Sequence, residues 1–183
     1  MVYLFLANGF EEVEALCPLD LLRRAGVEVT TVGIGGESVQ GSHGIQVQAD
    51  IPDTMFRDAK PEMIILPGGM PGSKNLLQSP TVAAALRAGE KNGAYLCAIC
   101  AAPMVLGAGG YLNGYKATCY PGFEKMLTGA DVQDQRKTPV VSDRLRITAA
   151  GMGVAFEFGL ALVSALRGRE TAEKIKESVI NYD

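Results

Sequence analysis

Tryptophan is absent, and tyrosine and phenylalanine contribute only six residues each. A chain this poor in large rings lacks a stacking platform for unpaired bases. Basic residues are no better represented: 17 Lys and Arg stand against 20 Asp and Glu, for a net charge of -3. No basic stripe and no run of like charge is present, which argues against nucleic acid or an anionic membrane surface as a partner. Histidine occurs once, as His43. A zinc centre needs about four ligands, and four cysteines with one histidine at these spacings do not supply them. No metal is expected. The same scarcity weighs against a cysteine protease or amidotransferase, whose thiol needs a base that is normally histidine. No apolar run approaches the roughly 20 residues of a membrane span.

The chain opens on Met1-Val2-Tyr3-Leu4-Phe5-Leu6-Ala7, apolar but without a basic flank, and runs directly into Asn8-Gly9-Phe10-Glu11-Glu12. That reads as a first buried strand and not as a signal peptide. Cys17, Cys97, Cys100 and Cys119 then read as reduced thiols of a cytoplasmic protein, not as a disulfide framework. At 183 residues and 48% hydrophobic content, the chain suits one domain, 1–183, with a sizeable core.

Short apolar runs alternate with longer helical patterns. Strands are expected at Val2–Leu6, Val27–Gly33, Ile45–Ala49, Met63–Leu66, Ala94–Ile99 and Arg146–Ala149. Helices are expected at Glu11–Ala25, closed by Gly26, at Pro80–Lys91, at Pro103–Ala108, at Val154–Arg167 and at Thr171–Ser178. Val154–Arg167 is apolar nearly all round and reads as buried. The stretch Gly35–Gly44 reads as polar turns. Gly110–Pro139 is the least patterned, with a candidate strand at Lys116–Cys119. Such alternation favours a parallel sheet covered on both faces. Sites in these sheets lie at the carboxyl ends of strands. The loops at Asn8-Gly9, Pro67-Gly68-Gly69, Cys100-Ala101, Tyr120-Pro121 and Ala150-Gly151 are therefore expected to converge.

In Tyr95-Leu96-Cys97-Ala98-Ile99-Cys100-Ala101-Ala102-Pro103 the two cysteines have different prospects. Cys97 lies within the strand and reads as a small buried hydrophobe. Cys100 stands where strand gives way to helix, among small residues that permit a tight turn, with Pro103 suited to a first helical turn. A helix amino end stabilises a thiolate, the arrangement of a nucleophile elbow; simple packing at a strand end is the competing reading. Glu11-Glu12-Val13-Glu14 opens the first helix, where acidic residues are expected on dipole grounds alone. Pro18, however, deprives the Glu14 carbonyl of its helical partner. Leu66-Pro67-Gly68-Gly69 leaves backbone amides bare to face an anion, or is an ordinary turn. His43 falls in the Gly-rich stretch and reads as a solvated turn residue. Cys119 reads as a packing residue, with a lesser claim to resolve an oxidised Cys100.

Taken in order, Glu11-Glu12-Val13-Glu14, Leu66-Pro67-Gly68-Gly69, Ala98-Ile99-Cys100-Ala101-Ala102-Pro103 and Gly151-Met152-Gly153-Val154-Ala155-Phe156-Glu157-Phe158 resemble the ThiJ/PfpI superfamily, in the branch of the parkinsonism-associated deglycase and its bacterial relatives. The resemblance spans nearly the whole chain. It implies a flavodoxin-like three-layer sandwich with a mainly parallel sheet and helices on both faces, and a homodimer. It also implies cofactor-independent processing of small reactive aldehydes, methylglyoxal to lactate, as a glyoxalase or protein deglycase does. On this resemblance Cys100 takes the place of the reactive cysteine and Glu14 that of the carboxyl bonded to it. The amides of Gly69 and Ala101 take the place of oxyanion donors, and Gly68 and Tyr120 fall in the pocket. This chain departs from the deglycase in having Tyr120 for a pocket histidine, and Ala150 and His43 for two arginines. A redox sensor or chaperone working through oxidation of Cys100 is the alternative, and a plain interaction protein the third.

Overall fold

The computed structural model describes residues 1–57 and 60–181. In chain order its strands are β1 (Val2–Leu6), β2 (Val29–Gly33), β3 (Ser38–Gln40), β4 (Gln46–Gln48), β5 (Ile51–Pro52), β6 (Met63–Leu66), β7 (Tyr95–Ile99), β8 (Lys116–Ala117), β9 (Asp131–Val132), β10 (Val140–Asp143) and β11 (Arg146–Ala149). Its helices are α1 (Glu12–Arg24), α2 (Gly72–Gln78), α3 (Pro80–Asn92), α4 (Pro103–Ala108), α5 (Ala155–Arg167) and α6 (Arg169–Ser178).

The central sheet runs β10-β11-β7-β6-β1-β2-β5. Every pairing in it is parallel except the β10–β11 hairpin. Its strands carry apolar residues on both faces, as a doubly covered sheet requires. Val2, Leu4, Met63, Ile65, Cys97 and Ile99 face one layer, built from α1, α5 and α6. Phe5, Ile64, Leu66, Leu96 and Ala98 face the other, built from α2, α3 and α4. This is the parallel sheet covered on both faces that the strand–helix alternation favours, in the flavodoxin-like three-layer form that the resemblance implies. Cys97 is fully buried, and β7 alternation puts it and Ala98 on opposite faces.

α1 and α5 cross closely because Gly159 has no side chain: an added Cβ would lie 3.0 Å from the Pro18 Cα. Pro18 is held inside α1, at the expected place.

Several boundaries differ from the sequence reading. Residues 35–44, expected as turns, contain β3, which pairs with β4 in a separate small hairpin. Its residues are mostly polar and exposed, so no apolar alternation marks it. Only Lys116–Ala117 of the segment 116–119 is strand, and it pairs with β9 outside the central sheet. α2 spans seven residues, too few turns for a periodicity to register. β10 is an edge strand with only Val141 buried. Expected as a buried helix, α5 has buried residues on one side only, with Phe156, Leu160 and Ala161 half-buried.

Candidate active site

Three neighbouring strands, β1, β6 and β7, end on one rim of the sheet. The loop after β1 leads into α1, with Glu11 at the N-cap, its Oε2 accepting from the Glu14 amide at 2.8 Å. The Glu11 amide in turn donates to the Gly68 carbonyl at 3.0 Å. The first turn of α1 is thereby fixed against the loop after β6. Glu14 is almost completely buried there and accepts from the Gly68 amide at 2.9 Å.

Cys100 follows β7 in the left-handed region, φ 64°, which costs a side-chain-bearing residue about 1–2 kcal/mol. Its amide donates to the Ala149 carbonyl at 2.9 Å, and its carbonyl accepts from the Tyr120 amide at 2.9 Å. These bonds, from a neighbouring strand and a converging loop, hold the turn. The Cys100 side chain is hydrogen-bonded to Glu14, and its sulfur receives the amides of Gly69 and Ala101. Gly68 is obligatory between them. A Cβ there would collide with Glu14 Oε2 and Cys100 Cβ. Gly69 has φ 86° and no more room, since a Cβ would meet the Glu11 amide nitrogen and the Gly9 carbonyl.

Burial pushes the Glu14 carboxyl up to about 7; the nearby Glu11 charge adds to this, against the pull of Cys100 and of the Gly68 and Met152 amides. Burial likewise pushes the Cys100 thiol up to about 12, with the Glu14 charge adding to it and the Gly69 and Ala101 amides opposing. Two such groups in contact do not both ionise, so between these limits the pair carries one negative charge and one proton. Glu14 is 1% exposed while Cys100 is partly open to solvent. The lower value belongs to Glu14, and the Gly69 and Ala101 amides that face the sulfur favour passing the Cys100 proton to that carboxyl when the thiolate forms.

Of the residues singled out in the sequence, Cys100, Glu14, Gly68, Gly69 and Ala101 come together here. The Tyr120 side chain is 51% exposed and flanks the site. An added Cβ on Gly151 would lie 3.3 Å from the Tyr120 ring and 4.0 Å from Glu14 Oε1. The Ala150 amide is engaged by the Pro139 carbonyl at 2.8 Å. His43, read as a solvated turn residue, is exposed in the 41–44 turn and is also tied to α1. Its amide donates to Glu12 Oε1 at 2.8 Å and its Nδ1 lies 2.9 Å from Glu12 Oε2. Cys119 is buried in the α2–α4 layer, whereas Cys100 borders the opposite one. The Tyr120 amide, next in the chain to Cys119, nonetheless reaches the Cys100 carbonyl at 2.9 Å. Met152, whose amide bonds Glu14, was not singled out; a backbone donor leaves no mark on side-chain pattern.

A strained cysteine at a strand end, bonded to a buried carboxyl between two glycine-rich turns, is a distinctive combination. The DJ-1/PfpI family model matches residues 1–165. The chain belongs to the DJ-1/PfpI family. Among members of this family, Drosophila melanogaster protein dj-1beta is 37% identical over 176 residues, covering 96% of this chain and 94% of the relative. A Caenorhabditis elegans protein, glutathione-independent glyoxalase DJR-1.2, is 34% identical over 168 residues, covering 90% and 87%. The structure of oxidised Toxoplasma gondii DJ-1 superposes with a TM-score of 0.93 at 33% identity, covering 100% of this chain and 98% of that one.

Proposed function

We propose that this protein is a cofactor-independent glyoxalase, with deglycase-like scope, that converts small 2-oxoaldehydes such as methylglyoxal to 2-hydroxy acids. The observation that carries the reading is the hydrogen-bonded Cys100–Glu14 pair, with two backbone amides at the sulfur. The relative whose name describes a glutathione-independent glyoxalase supports it.

The sulfur of Cys100 adds to the aldehyde carbon. An S–C bond forms, the C=O π bond breaks, and the alkoxide is held by the Gly69 and Ala101 amides before taking the Glu14 proton. Glu14, now a carboxylate, removes the former aldehyde hydrogen as a proton and returns it to the adjacent carbon, while the hydroxyl proton on the first carbon passes to the neighbouring ketone oxygen. The aldehyde carbon is thereby oxidised to a thioester and its neighbour reduced to a carbinol, with no external oxidant. Water then hydrolyses the thioester, releasing the hydroxy acid and restoring the pair. The overall change is addition of one water.

The same reading includes a homodimer working in the cytoplasm, where its four free cysteines suit a reducing compartment. No helix among the described residues is long and apolar enough to cross a membrane.

Methylglyoxal consumption with lactate detection tests this directly. Cys100→Ser and Glu14→Gln should each lower kcat by at least about 100-fold. A wild-type protein that makes no lactate, yet whose Cys100 is the first thiol oxidised by peroxide, would move the function to redox sensing.

A further inference from the structure

Beside the catalytic pair the surface opens into a cleft of about 450 Å³ lined by Tyr120, Pro121, Gln135, Pro139, Met152 and Val154, together with the 150–153 turn. None of its lining residues is charged. Two of its walls are large apolar side chains left in water, Tyr120 at 51% and Met152 at 53% exposure. Two large apolar side chains on one uncharged cleft form a surface suited to an apolar ligand.

The cleft is joined to the chemistry through backbone. Met152 presents its amide to Glu14 and its side chain to the cleft. Tyr120 gives its amide to the Cys100 carbonyl and its ring to the same cleft. Gly151, which lines the cleft, lies beside both Tyr120 and Glu14: a Cβ on it would come within 3.3 Å of the Tyr120 ring and 4.0 Å of Glu14 Oε1. An aldehyde carbon at Cys100 would direct its remaining substituent toward this neighbouring cleft.

We infer that the site selects 2-oxoaldehydes carrying an apolar substituent larger than methyl, with Tyr120 and Met152 as the specificity-determining side chains. The inference rests on the carbonyl reading above and extends it to a substrate class. A methyl group leaves the cleft unfilled, whereas a phenyl or branched alkyl group covers both side chains. With no cation in the lining, a carboxylate or phosphate on the substituent gains no partner. A hydrophobic contact of this size discriminates by about tenfold or more in kcat/KM.

The test compares phenylglyoxal with methylglyoxal, measured as initial rates of mandelate and lactate formation, in wild type, Met152→Ser, Tyr120→Ser and Tyr120→Phe. The expected result is a wild-type kcat/KM at least tenfold higher for phenylglyoxal. That ratio should fall at least about fivefold in both serine variants and persist in Tyr120→Phe, which keeps the ring. Methylglyoxal turnover with a ratio at or below one overturns the inference and leaves the carbonyl reading standing. So does a ratio unchanged by either serine variant. Turnover of neither aldehyde by folded wild type overturns both.

Discussion

Cys100 occupies a backbone region that L-residues avoid, and its environment maintains that conformation from three sides. The Ala149 carbonyl takes its amide, the Tyr120 amide takes its carbonyl, and Glu14 takes its side chain. With one proton shared between sulfur and carboxyl, the alkylation rate of Cys100 should rise with pH, inflect near neutrality and level off above it, as measured with iodoacetamide and mass-spectrometric site assignment. A rate still climbing steeply at pH 10 would place the remaining proton on sulfur instead. Cys100, Glu14 and Gly68 were legible in the sequence because small residues, an early helical carboxylate and paired glycines each serve a nameable purpose. Met152 was not, because its amide and not its side chain touches Glu14.

The β3–β4 hairpin lies outside the central sheet and is pinned to α1 through Glu12. Gly41 makes this possible, since a Cβ there would collide with the Glu12 carboxylate. Burial alone would raise Glu12, but the bonds from the His43 ring and amide prevail and lower it to about 2. The bond to Glu12 and its charge raise His43 in return. The sign of the pH effect follows. The His43 contribution is full below its unfolded value and is lost as pH rises through its raised folded value. The Glu12 contribution is lost only as pH falls toward about 2. His43→Gln should therefore lower Tm more at pH 6 than at pH 8.5, and an equal loss at both would show that the ring acts without its charge. Elements with strong apolar patterns, such as β6, β7 and α3, were read close to their true bounds. β4 falls within the expected strand Ile45–Ala49, whereas β3 was missed because its residues are polar and exposed and the hairpin is tied to α1 by an ion pair across 31 positions in sequence, which local pattern does not reveal.

Burial of Glu14 has a consequence for the stability of the whole molecule. Its folded pKa of about 7 lies above that of an exposed carboxylate, so the folded state binds a proton that the unfolded chain releases. Stability contributed by this group is full at low pH and declines as pH rises from about 4.5 to about 7. The decline is on the order of 3–4 kcal/mol. Glu14→Gln, which mimics the protonated form, should gain Tm relative to wild type across that interval, as followed by thermal unfolding at steps of pH. A difference that stays flat across the interval would mean Glu14 keeps the ordinary carboxylate value in the fold.

The anchors of Cys100 also have a place in time. Its amide is held by Ala149 on β11, its carbonyl by Tyr120, and its carboxyl partner by the Met152 amide. All three lie after it in the chain. During synthesis, which proceeds amino end first, the cysteine leaves the ribosome about 50 residues ahead of the last of them. Until β11 and the 150–153 turn arrive, the Cys100 amide lacks its Ala149 acceptor and the carboxyl lacks its Met152 bond. The nascent thiol is then an ordinary one, and the chain acquires its reactive sulfur only when its last sheet strand is in place.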